Sequence, residues 1–166
     1  IYEDKSYYFL NIDKGKGKRI ETINYMSEPV SLQTDIFLDR AHYENQTYNV
    51  VKSGKEWYGD VFDMQLLHQF DFSFPNAIPD SCVKVSVNML ARASGQTTAN
   101  IQAGTANTTL SFQGTSSYTA DFAKEASGTL CVTNASNPLS VFITYNKFSY
   151  SDAKAWLNNI SISAWR

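Results

Sequence analysis

Two carboxylates bracket an aromatic pair in the segment Glu56-Trp57-Tyr58-Gly59-Asp60. Glycoside hydrolysis uses two carboxyl groups roughly 5–10 Å apart, one as acid and one as base or nucleophile. Glu56 and Asp60 are close enough along the chain to meet that separation. Acids beside aromatic rings also describe a face that binds sugar without cleaving it. Trp57, Tyr58 and Trp156 are therefore candidate platforms for a sugar ring, or for a neighbouring domain. Trp57 and Trp156 also flank strand-like runs, and that position favours an anchoring role in the core.

Nucleophilic catalysis needs a Ser or Cys beside a base, most often His. The chain has two histidines, His42 and His68. His68 opens a Phe-rich strand, and His42 lies in Arg40-Ala41-His42-Tyr43-Glu44. Both positions favour structural roles on a strand face. No nucleophile elbow, phosphate loop or zinc-peptidase motif is present. Gly15-Lys16-Gly17 lacks the strand-to-helix setting of a dinucleotide site. Asp35, Asp39 and Glu44 do not follow the spacing of a calcium loop. The expectation is no catalytic residue, no cofactor and no metal.

Cys82 and Cys131 are far apart and belong to no CxxC pair, which argues against zinc and thioredoxin-type chemistry. An exported protein allows them one disulfide. Two buried free thiols satisfy the sequence as well. Four N-x-S/T sequons, at Asn45, Asn107, Asn134 and Asn159, fit a composition that suits an exported β protein.

The elements that must position these residues read with period two. Phe70, Phe72 and Phe74 alternate with Gln69, Asp71 and Ser73. Val83, Val85, Val87, Met89, Ala91 and Ala93 share one face opposite Lys84, Ser86, Asn88 and Arg92, with a break at Leu90. Such alternation describes a strand with one face in a core and the other toward water. Leu110 and Phe112, the run Thr129 to Thr133, Leu139 to Tyr145 and Ile160 to Ala164 extend the pattern. Tyr7 to Ile12 reads as an aromatic strand near the start. Gly, Pro, Asn and Ser punctuate these runs. Helix signals are sparse. Ser116 to Ala126 permits a short helix or a loop, Leu32 to Leu38 reads either way, and Ser151 to Trp156 permits a single turn. Many short strands between turns predict an all-β fold, an antiparallel β-sandwich or a barrel, with at most one or two short helices.

The chain has 166 residues, 43% hydrophobic and 18% charged, enough for one domain with its own core and too apolar for bulk disorder. No linker divides it, so residues 1–166 read as a single domain. The net charge of −2 makes nucleic acid a poor partner. The one basic run, Lys14 to Arg19, reads as a solvated loop tip. No apolar run approaches the ~20 residues of a membrane span, so no membrane insertion is expected. The chain begins at Ile1 and ends on Trp165-Arg166, which suggests a fragment of a longer exported protein.

The segment from Ser53 to Phe62, Ser-Gly-Lys-Glu-Trp-Tyr-Gly-Asp-Val-Phe, resembles a signature of the PorU-type sortases of the type IX secretion system. It lies in the β-rich region ahead of their gingipain-like cysteine peptidase domain. Tyr7-Tyr8-Phe9-Leu10 is similar to an early strand of that region. Tyr43-Glu44-Asn45 is similar to its approach to the signature, and Trp156 to Ile160 to its closing strand. The matches fall in order over most of the chain. Asp60 stands where Glu is usual, Lys55 where Arg is common and Asn158 where Asp is usual.

The resemblance implies an antiparallel β-sandwich, jelly-roll-like, that is a non-catalytic accessory domain of an outer-membrane, cell-surface sortase that processes the C-terminal signals of secreted cargo. The catalytic residues would lie beyond Arg166. The partners would be the peptidase domain of the same chain and secretion-system proteins or cargo. Read from the residues alone, a carbohydrate-binding module or an adhesin-like surface domain remains the alternative.

Overall fold

The computed structural model describes residues 7–12, 14–22, 32–50, 52, 56–115 and 121–166. The chain divides into two compact units, Ile1–Asp35 and Ile36–Arg166. In the first unit the described residues carry no strand or helix. Tyr7 to Ile12, expected as a strand, are exposed and lie in no ladder. An aromatic, extended stretch becomes a strand only when its N–H and C=O groups find a partner chain. Lys14, Lys16, Lys18 and Arg19 are exposed, and Gly15 has a φ of +83°, as expected of a loop tip.

The second unit holds nine strands: β1 (Leu38–Glu44), β2 (Gly59–Phe62), β3 (Leu67–Phe72), β4 (Val83–Arg92), β5 (Thr97–Ala103), β6 (Ala106–Phe112), β7 (Lys124–Val132), β8 (Leu139–Asn146) and β9 (Lys154–Trp165). They form two antiparallel sheets. One has the order β1-β9-β4-β7, with β2 also pairing β9, and the other has the order β3-β8-β5-β6. Every consecutive pair from β3 to β9 crosses between the sheets except the β5–β6 hairpin. This order is that of a jelly roll, with β2 as an added short strand.

The alternation read from the sequence sets the inner faces. Phe70, Phe72 and Phe74 are buried, as are Val83, Val85, Val87, Met89, Ala91 and Ala93. Val141, Ile143 and Tyr145 of β8 pair with Ala103, Ile101 and Ala99 of β5 in the same sheet, and all six are buried. The Tyr145 hydroxyl donates to Thr97 Oγ1 at 2.9 Å, so the most buried polar pair of the core is satisfied. At the β5–β6 turn, Gly104 takes a φ of +54°, the left-handed region that tight hairpin turns require.

The strand pairing is irregular next to Leu90. The β4–β9 register steps from Asn88↔Asn159 to Met89↔Leu157, which leaves Asn158 as an extra residue on β9. Leu157 and Ile160 can then both point inward. Leu90 pairs with Trp156 and lies on the outer face, yet is buried.

No helix occurs among the described residues. Residues 116–120 of the Ser116–Ala126 segment lie outside the described residues. Its far end, Lys124 to Ala126, belongs to β7, because pairing with Leu90 and Ala91 satisfies its backbone. Ser151 and Asp152 form a turn, but Lys154 to Trp156 already belong to β9. Residues 32–37 are irregular and Leu38 begins β1.

Candidate functional site

The Glu56–Asp60 segment is a clamp on the outer side of the β1-β9-β4-β7 sheet. Tyr48 and Tyr58 exchange backbone hydrogen bonds of 2.7 and 2.8 Å, which ties residues 47–48 to the entry of β2. A Cβ on Gly59 would sit 2.1 Å from the Asn45 carbonyl oxygen, so the close approach of the two backbones requires glycine. Asp60 is the irregular residue of the β2–β9 ladder and has a φ of +36°, a region that Asp tolerates better than most residues. Ser53, Gly54 and Lys55 of the same motif lie outside the described residues.

Both carboxylates of the segment are engaged by tyrosine hydroxyls. The Tyr58 hydroxyl donates to Glu56 Oε2 at 3.0 Å, and the Tyr43 hydroxyl donates to Asp60 Oδ2 at 2.8 Å. Burial, then the Asp60 carboxylate, pushes Tyr43 up from 10.0 to about 12. Burial, then Glu56, pushes Tyr58 up further. The hydroxyls stay protonated and keep donating. Glu56 and Asp60 thus serve as acceptors that hold the clamp. Tyr58 is 5% exposed, so it offers no surface platform. Trp57 is 38% exposed and Trp156 half-buried, so neither is the core anchor that their position favoured.

Trp156 instead lines an open cavity of about 520 Å³ beside the clamp. Tyr48 and Asn49 come from the residues that precede β2, Arg92 from the end of β4, and Asp152 from the turn before β9. Phe122 completes the wall, and the Arg92 guanidinium lies 4.2 Å from the centre of its ring. Such stacking fixes the guanidinium without consuming its donors. Asp152 accepts from the Ser94 N–H and hydroxyl at 2.9 and 3.0 Å. Asn49 Oδ1 is buried and has no hydrogen-bond partner. An acceptor of this kind costs free energy until something donates to it. The cavity therefore offers aromatic walls and an oriented cation. Apart from Trp156, its residues were not singled out by sequence. Arg92 is an ordinary polar position of an alternating strand, and only the break at Leu90 hinted that this outer face is covered.

His42 comes nearest to a catalytic base. Its Nδ1 is 2.9 Å from Ser161 Oγ, and its Nε2 is 3.4 Å from Glu44 Oε2. Hydrogen bonds from Gln46, then from His42, hold the Glu44 carboxyl below its ordinary range. Ser161 is paired on both sides, with His42 of β1 and Ser86 of β4. The ladders use the backbone N–H groups around it, so none is left to stabilise an oxyanion. The trio is a cross-strand polar contact. His68 packs against Phe62, with ring centres 4.4 Å apart, in the structural role expected of it.

Cys82 and Cys131 form a disulfide with their Cα atoms 5.3 Å apart. Both residues are exposed, so the alternative of buried thiols falls. Among the described residues no group of three His, Cys, Asp or Glu is placed to hold a metal ion. Asp39 is ion-paired with Arg166 at 2.9 Å. No helix among the described residues is long and apolar enough to cross a membrane.

These features define an antiparallel jelly-roll sandwich with a cavity on one outer face. Its fold is similar to part of the crystal structure of dimeric latent PorU from Porphyromonas gingivalis, with a TM-score of 0.65 and 17% identity. That superposition covers 82% of this chain and 13% of the PorU chain. The carbohydrate-binding module CBM36 in complex with calcium and xylotriose superposes over 75% of this chain and 98% of its own, with a TM-score of 0.44 and 13% identity. The CBM36-1 domain of a multidomain xylanase from the hindgut metagenome of Trinervitermes trinervoides superposes over 77% of this chain and 96% of its own, with a TM-score of 0.47 and 9% identity. These last two superpositions are too loose to bear on function. No family model matches the chain, and no curated protein sequence matches it.

Proposed function

We propose that this chain is a non-catalytic β-sandwich accessory domain of an exported, cell-surface sortase of the type IX secretion system. The observation that carries the reading is the superposition on PorU, which spans most of this chain and a small part of that one. The ordered sequence matches from Tyr7 to Ile160 support it. So does the use of Glu56, Asp60, His42 and Ser161 as structural hydrogen-bonding groups. Its partners are then the peptidase domain of the same chain and secretion-system proteins or cargo. The coding sequence downstream of Arg166 tests the reading: a cysteine peptidase domain is expected there. Its absence, or turnover of a peptide substrate by this chain alone, would overturn the proposal.

The cavity beside Trp156 favours a second reading, saccharide binding by the same domain. A ring seated on Trp156 would accept from Arg92. Binding on a glycan array that disappears in Trp156→Ala supports this reading, and a blank array removes it.

A further inference from the structure

Alternation along β1, β9 and β4 decides which side chains face outward. Ala41, Val85 and Ile162 turn toward the core side. Arg40, His42, Lys84, Ser86, Ser161 and Ser163 turn outward. The register sets these six in two rows. One row runs Arg40, Ser163, Lys84, and the other His42, Ser161, Ser86. Adjacent strands lie about 4.8 Å apart, so the outer strands of each row are separated by roughly 10 Å. The middle strand contributes only serines, which are short. The flanking strands contribute the long cations Arg40 and Lys84 to the first row. The result is an open trough of about 360 Å³ with a hydroxyl floor and cationic walls.

Arg40 and Lys84 face each other across this trough on a protein of net charge −2. No ion pair engages Arg40 or Lys84 among the described residues. Asp39, the neighbour of Arg40, is occupied by Arg166. Glu44 lies beyond His42 on β1 and is held by Gln46 and His42. Two like charges facing across a row repel, and an anion between them reverses the sign of that interaction. A guanidinium, an ammonium and a serine hydroxyl lining one trough are donor types suited to an oxyanion.

We infer that the trough between Arg40 and Lys84 is a binding site for a phosphoryl or sulfuryl oxyanion, with Ser163 donating from its floor. It is separate from the cavity at Trp156 and does not depend on the sortase reading. Amide NMR shifts, recorded while inorganic phosphate or sulfate is titrated at constant ionic strength, test it. Saturable shifts centred on Arg40, Lys84 and Ser163 are expected. Lys84→Ala and Arg40→Ala should each weaken binding roughly fivefold or more. Lys14→Ala, the same charge change elsewhere, should leave it unchanged. Spectra that match the parent away from the trough show that the variants fold. Co-sedimentation with vesicles of phosphatidylcholine, with and without phosphatidic acid, distinguishes the source. Lys84-dependent capture only by the acidic vesicles assigns a lipid headgroup, and a response to the free ions alone assigns a soluble ester. Shifts spread over the whole surface, or binding undiminished in Lys84→Ala, would overturn the site.

Discussion

Tyr43 and Tyr58 show how single residues of the clamp are tuned. Each hydroxyl donates to a carboxylate in a part-buried pair, and each holds its proton above the ordinary tyrosine range. A folded-state value above the unfolded one gives stability that is complete below pH 10 and lost as pH rises toward the folded value. For Tyr43 that window runs from 10.0 to about 12. The melting temperature should hold steady through neutral pH and decline above about pH 10. Tyr43→Phe removes one of the two contributions, so its decline should be shallower in thermal melts across the same window. An identical decline would show that Tyr43 does not sense Asp60. None of this was visible in sequence, where Glu56 and Asp60 read as a possible acid–base pair. The partners that claim them were assigned by the fold of the chain around Gly59.

At the scale of elements, period two was a sound guide wherever large apolar residues carried it. Phe70, Phe72 and Phe74 lie 8%, 8% and 4% exposed on one face. Truncation of a buried Phe typically costs ~3–5 kcal/mol, from lost transfer energy and the cavity left behind. Phe72→Ala should lower the denaturation midpoint by a corresponding amount in urea melts. An unchanged midpoint would place Phe72 outside the core. The pattern was silent where the inward residues are small. β5 buries Thr97, Ala99, Ile101 and Ala103 completely, yet Thr and Ala give little hydrophobic contrast. The helix-or-loop reading of Ser116 to Ala126 gives way at Lys124 to Ala126, where the backbone pairs with β4. Local spacing is a weak prior against a ladder that satisfies every N–H group.

At the scale of the whole molecule, the disulfide ties the end of β7 to the residue just before β4. Cys82 and Cys131 are 49 residues apart. A cross-link closing a loop of this length removes conformational freedom worth roughly 4 kcal/mol from the unfolded chain. Reduction of the exposed bridge should lower the melting temperature by on the order of 10 °C. Calorimetry with and without dithiothreitol measures this, and coincident transitions would mean that the bridge does not constrain the unfolded state. The jelly-roll order also fixes where binding surfaces can form. The inner faces are filled with side chains, so ligands must meet an outer face or an end. The cavity at Trp156 and the cationic trough both lie on the outer side of the β1-β9-β4-β7 sheet.

The sequence by itself determined the fold class, the inward faces of the large-residue strands and the absence of a recognisable catalytic motif. These follow from alternation and residue type, which are local properties of the chain. Tertiary structure alone decided the jelly-roll order, the pairing of Cys82 with Cys131 and the bulge at Asn158. It also brought Asn49, Arg92, Phe122 and Trp156 together, and set Arg40 and Lys84 across Ser163. Each of these depends on register between strands distant in sequence, and a shift of one residue would turn every one of these side chains to the other face.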